Sequence, residues 1–180
     1  MSTLNAARER TEAKLKYATI HLEELRLRRA LDPSQGGDFE RAHQEAFLFH
    51  LLGVRDALFQ EINIFYDCGL EMNEVTKKAL SDALRVKSEP SPAFEAITEL
   101  ESDESSWIEI ARRMRNQLTH QKNVSQHFTS DERKEVIHLK DPLTEKWIEQ
   151  DYMDLFSNWW TAMRDLVTQL QEKMPGAESD

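Results

Sequence analysis

The sequence predicts an all-α fold, an up-and-down bundle of four to five main helices. Three observations carry that prediction. Of 180 residues, 39% are hydrophobic and 31% charged, enough apolar material for one core and too little chain for two comfortable domains. Glycine and proline number only five each, sparse punctuation for a turn-rich β protein. Apolar residues recur at steps of three and four over long stretches, the period of a helix with one buried face. The expectation is a single helical domain over residues 1–180, with an N-terminal helix over 4–31 and a bundle core over about 39–174.

The first helix, about Leu4 to Leu31, carries Leu15, Ala18, Leu22 and Leu25 at helical spacing and stops at Asp32-Pro33 before Gly36-Gly37. Asp38 is the expected N-cap of the second, whose stripe of Phe47, Leu51, Val54, Leu58, Ile62 and Phe65 runs to Cys68-Gly69. A third, shorter helix spans about Asn73 to Val86 and ends in the loop from Ser88 to Pro92, where Ser91 can cap and Pro92 begin a further short one. The acidic stretch Glu99 to Glu104 precedes another helix, with Trp107, Ala111, Met114 and Leu118 facing inward.

Between about 124 and 139 the helical period fades, and Gln126-His127-Phe128 and Val136-Ile137-His138-Leu139 flank a polar turn region, so a long loop or small β-hairpin is expected. Asp141-Pro142 resembles a capped helix start. Trp147, Tyr152, Leu155, Trp159, Ala162, Leu166 and Leu170 then form one stripe and Phe156, Trp160, Met163 and Val167 a second, ending at Pro175-Gly176. A helix apolar over that much of its circumference needs cover on two sides, from a central place in the bundle or from a dimer contact.

Composition also excludes function classes. One cysteine, Cys68, permits neither an internal disulfide framework nor a multi-thiolate zinc site, and a reducing cytoplasm is the expected compartment. The first thirty residues lack an apolar run of signal-peptide length, and no stretch approaches the roughly twenty apolar residues that span a bilayer, so neither secretion nor membrane insertion is expected. A net charge of -10 opposes general attraction to nucleic acid, so any RNA site must be local. Two basic clusters stand out against that background, Arg26-Leu27-Arg28-Arg29 and Arg112-Arg113-Met114-Arg115.

The second cluster opens the strongest motif, Arg115-Asn116-Gln117-Leu118-Thr119-His120. Arginine supplies a permanent planar fork matched to phosphate, and histidine titrates near neutral pH, two groups that phosphodiester chemistry needs when no metal is used. Residues five apart on a continuous helix point about 140° from one another, so Arg115 and His120 are not a tight pair on one chain. Asn116 and His120, four apart, share a face, and the amide can orient the imidazole. His120 would take the proton of a ribose 2′-hydroxyl, Arg115 would stabilise phosphoryl charge, and a second His120 from a symmetry mate would protonate the leaving oxygen. Arg133 and His138 repeat the spacing without the asparagine.

An Arg, a polar residue and a His four to six positions after the Arg, set late in a small helical bundle, resemble the signature of the HEPN domains (higher eukaryotes and prokaryotes nucleotide-binding). The resemblance covers these six residues closely, and Phe39 to Leu170 by helix pattern. It implies a four-to-five-helix bundle, a homodimer with Arg115, Asn116 and His120 lining a cleft between subunits, and a metal-independent endoribonuclease or RNA-binding protein of the kind found in toxin-antitoxin and phage-defence systems. No metal or cofactor is expected at such a site, and the identity of any antitoxin or protein partner does not follow. One branch carries a modifiable tyrosine two places after the histidine; Lys122 stands there, which argues against control by a nucleotidyltransferase antitoxin.

Two other classes compete. Glu40 with His43, and Glu135 with His138, have the i, i+3 spacing of ferritin-like metal bundles, with His50 seven residues beyond His43 on the same expected face. A non-catalytic module would instead use the aromatic stripe of the last helix, or the second helix, to bind a protein. His127 is a further candidate for the site, with an exposed loop histidine of no role as the plainer reading.

Overall fold

A computed structural model describes residues 3–31, 37–120, 125–131 and 134–174, which form six helices and one three-stranded sheet. The chain is predominantly helical as expected, with more helices than four or five and with a sheet that the all-α expectation allowed only as a hairpin. The stops at Asp32-Pro33 and Pro175-Gly176 lie outside the described residues, as do Lys122 and Arg133.

Helix α1 (Thr3–Leu31) buries Ala18, Leu22 and Leu25 along one stripe. Helix α2 (Asp38–Phe65) is the spine: Phe47, Leu51, Val54, Leu58 and Ile62 are all fully buried, the stripe that its period predicted. Its N-cap is Gly37 rather than Asp38 and makes no side-chain cap bond; Asp38 sits one residue inside, where its charge favours the positive end of the helix dipole. After α2 the turn is closed by Asn63, whose amide donates to the Leu70 carbonyl (2.9 Å) and accepts from the Leu70 N–H (3.1 Å). Gly69 takes a φ of 71° there, open to glycine without strain.

Helix α3 (Lys77–Lys87) starts later than Asn73 because Thr76 is the residue that caps it, its hydroxyl accepting from the Ala79 N–H. Ser91 caps α4 (Pro92–Ser102) with Pro92 in the first turn, as predicted. Glu99 and Glu101 belong to the end of α4 rather than to the start of α5 (Trp107–His120). Ala111 and Met114 are fully buried on α5, and Trp107 and Leu118 partly so.

Strands β1 (Gln126–Asp131) and β2 (Lys134–Lys140) make an antiparallel hairpin, and β3 (Trp147–Asp151) adds to β2, giving the order β1-β2-β3. The hairpin was expected and β3 was not. Asp141-Pro142 does not start a helix: the Asp141 carboxylate accepts from the Leu143 N–H, the Thr144 hydroxyl and Arg113, closing the turn between β2 and β3. Trp147, expected in the core stripe, therefore lies on a strand and is 45% exposed.

Helix α6 (Tyr152–Glu172) begins where Asp151 accepts from the Met153 N–H. Leu155, Phe156, Trp159, Met163, Val167 and Leu170 are buried, and α1, α2, α4, β2 and β3 all pack on α6. Most of its wide apolar face thus finds cover within one chain, with Trp160, Ala162 and Leu166 only partly buried. Contacts fix the directions. Arg29 meets Asp151 and Arg8 meets the Met174 carbonyl, so α1 runs antiparallel to α6; His21 meets His43 and Thr11 meets Glu61, so it runs antiparallel to α2 as well. Among the described residues no helix is long and apolar enough to cross a membrane.

Candidate functional site at the end of helix α5

Two ties place α5. Arg55 of α2 donates to Glu101 just before it (2.5 Å), and Gln126 just after it donates to Gln44 of α2 (3.2 Å), so α5 runs antiparallel to α2 and its last turn lies towards the N-terminal end of α2. Arg115 and Asn116 occupy that end, both half-buried. His120 is the last residue of α5; its side chain lies outside what the structure describes.

The three arginines of the cluster meet different partners. Arg112 grips Glu109 with contacts of 2.5 to 3.0 Å, and Arg113 grips Asp141 with two bonds of 3.0 and 3.1 Å and donates a third to the Glu104 carbonyl (2.9 Å). Each is neutralised by a carboxylate. Arg115 instead donates from Nη2 (2.9 Å) and Nε (3.3 Å) to the amide oxygen of Asn116, and among the described residues it makes no ion pair. A neutral acceptor fixes the guanidinium without cancelling its charge, which leaves a whole positive charge for an anion.

Asn116 therefore orients the arginine through its oxygen, a role beyond the shared helix face with His120, and among the described residues its side-chain N–H groups meet no acceptor. Thr119 returns its hydroxyl to the Arg115 carbonyl (2.9 Å) and so belongs to the backbone rather than to the site. At the start of α6 the Tyr152 hydroxyl donates to Glu40 of α2; burial first, and that carboxylate second, push the phenol far above its ordinary range, so it stays protonated.

Two of the three arginines in the first basic cluster are matched to carboxylates. Arg26 pairs with Glu23 and reaches Ser157 (2.9 Å), Arg28 lies over the Phe39 ring (4.3 Å), and Arg29 grips Asp151 (2.5 and 2.7 Å).

The ferritin-like arrangement does not form. Glu135 and His138 lie on β2, where i, i+3 is not a common face, and His138 bonds Thr129 and the Ile148 carbonyl, both at 3.1 Å. Glu40 turns to Gln44 and Tyr152 while His43 turns to His21, and among the described residues no group of three or more His, Cys, Asp or Glu is set to hold a metal ion. His127 is exposed on β1 with its ring 5.4 Å from that of Trp147.

His21 belongs to no motif of the sequence. It is the hub of a row of rings along α1 and α2: the His21 and His43 Nδ1 atoms are 3.1 Å apart, and His50 stacks on His21 at 5.5 Å with planes 4° from parallel. A parallel stack cannot converge on one ion. Burial lowers the His21 and His50 pKa values, followed by His43 for the first and by Lys14, His21 and Arg10 for the second. The faint signal for this row was the spacing Tyr17-His21 on one helix and Phe39-His43-His50 on the next, each a single face. Comparison with protein-family models, with curated proteins and with solved structures finds no match.

Proposed function

We propose that this chain is an HEPN-like, metal-independent endoribonuclease, or an RNA-binding protein built on the same site, that works as a homodimer. In the cleavage it would catalyse, His120 takes the proton of a ribose 2′-hydroxyl and the oxygen attacks the neighbouring phosphorus. The bond to the 5′-oxygen breaks, and that oxygen receives its proton from His120 of the second copy. Arg115 carries the charge that builds on the phosphoryl oxygens.

The observation that supports this reading is the neutral anchoring of Arg115 by Asn116, beside two arginines already matched to carboxylates. In a chain of net charge -10, a half-buried guanidinium without a carboxylate among the described residues is suited to a phosphate.

The test is incubation of the protein with mixed RNA in EDTA. The expected products carry 2′,3′-cyclic phosphate and 5′-hydroxyl ends, and His120→Ala abolishes them. Wild-type protein that leaves RNA intact removes the nuclease; binding without cleavage then keeps the RNA-binding form, and neither binding nor cleavage favours a protein-interaction module.

A further inference from the structure

We propose that the ring row on the outer face of α1 and α2 is a stacking track for the bases of single-stranded RNA, an inference that rests on RNA being the ligand of this protein. The row is continuous. Phe39 lies 4.2 Å from His43, His43 5.1 Å from His21, His21 5.5 Å from His50, and His50 5.2 Å from Tyr17 and 5.4 Å from Phe49. Its outer members are open to solvent, with Phe49 55%, Phe39 43% and Tyr17 39% exposed. Large exposed aromatic side chains joined through half-buried rings into one continuous row suit a binding surface better than scattered single ones.

Both ends of the row carry a cation. The Arg28 guanidinium sits 4.3 Å from the Phe39 centroid and the Lys14 ammonium 5.0 Å from that of Phe49. Lys14 reaches across α2 because Gly53 has no side chain: a Cβ there would stand 3.1 Å from the Lys14 stem. A run of rings with positive charge at each end suits an unpaired strand, since bases stack on rings of any kind and phosphates seek lysine and arginine. Phe39 to Phe49 spans about 15 Å of helix, the length of about four stacked nucleotides.

The histidines are suited to the same use. The two Nδ1 atoms at 3.1 Å require one donor and one acceptor, so only one of the two carries a proton and the rings are not both imidazolium. A second copy of the chain is the poorer occupant. A two-fold contact through the row would bring Arg10, Lys14, Arg28 and the histidines of both copies together, with Glu24 and Asp56 the carboxylates that act on them. The track also starts at the N-terminal end of α2, the end towards which α5 and Arg115 lead through the Gln44–Gln126 tie.

The test is fluorescence anisotropy of a short labelled single-stranded RNA, with protein carrying His120→Ala so that the probe survives, and with Phe39→Leu and Phe49→Leu added singly and together. Both phenylalanines are exposed, and circular dichroism checks that the helices persist. Each ring removed is expected to weaken binding about 5- to 100-fold, the worth of one base–aromatic stack. Lys14→Gln is expected to flatten the salt dependence, and an equal-length duplex to compete poorly. Affinity unchanged in the double variant overturns the track, and so does sedimentation showing that the double variant dissociates a dimer, which would make this face a contact between copies. The two proposals fail separately. RNA cleaved by the phenylalanine variants with wild-type KM removes the track and leaves the nuclease; ring-dependent binding without cleavage removes the nuclease and keeps the track.

Discussion

Replacing Asp151 by alanine tests how the helices and the sheet are held together. One carboxylate accepts from Arg29 of α1 (2.5 and 2.7 Å), from the Ile137 N–H of β2 (3.0 Å) and from the Met153 N–H at the start of α6 (3.0 Å). Breaking a buried ion pair costs about 3–5 kcal/mol, losing an N-cap about 1, and orphaning a buried N–H about 1–3. These losses overlap, and the Arg29 side chain, 15% exposed, recovers some hydration, so the expected total is about 3–5 kcal/mol. That is a large part of the roughly 5–15 kcal/mol that holds a typical domain. With a urea dependence of about 2 kcal/mol per molar, the midpoint falls by about 2 M. Asp151→Asn does not rescue, because its NH2 turns a donor towards Arg29 or Ile137. The carboxyl is held below its usual range: burial opposes ionisation, but the Arg29 bond and the two backbone N–H groups outweigh it. A depressed folded-state pKa stabilises above the unfolded value and is lost as pH falls through the folded one, so wild type and variant converge in acid. A denaturation midpoint within about 0.5 M of wild type, under 1 kcal/mol, would refute the reasoning.

Glu61→Gln is expected to leave stability at neutral pH unchanged within about 1 kcal/mol, or to raise it. Burial pushes this carboxyl up despite Thr11, Gln171 and Arg8, so its contribution is largest in acid and fades as pH rises through the raised value, and an amide keeps an acceptor for Thr11; the melting temperature reads the result. Lowering the pH from about 7 to about 5.5 is expected to lower the melting temperature, because the His21 and His50 pKa values lie below the unfolded value and folding then resists protonation. His50→Gln shrinks that drop, and an equal drop in the variant assigns it elsewhere. Arg115→Lys is expected to lose about 10- to 100-fold in RNA cleavage while Arg113→Lys, remote from phosphate, changes stability instead; the test is kcat/KM beside the urea midpoint, since a point charge cannot reproduce a planar fork.

Much of the helical frame was legible because its signal is local. The α2 stripe, the Ser91-Pro92 start and the reach of α1 follow from a 3.6-residue period and from capping chemistry that a window of a few residues contains. Strand β3 was not legible: it is five residues long, and Asp141-Pro142 offers the same acceptor whether it caps a helix or closes a turn. What decided between them was Arg113, 28 residues away in sequence. The Arg115 motif could be found as a string, but its pairing with Asn116 rather than with an acid depends on where Glu109 and Asp141 send the neighbouring arginines. The histidine row was only faintly legible for a related reason: each helix shows its own face, but His21 and His43 meet only once two helices fold back on each other.

The junction of Arg8, Thr11, Glu61 and Gln171 makes the head and tail of the described chain interdependent. Arg8 also holds the Met174 carbonyl, so the outermost turns of α1 and α6 close over one interior carboxylate contributed by the middle of the chain. Trimming either tail past this junction would remove partners of the same buried Glu61 carboxylate and expose it to water. Shortening from the front and shortening from the back would then yield equivalent damage, and a protease that nicks one extremity would release the other.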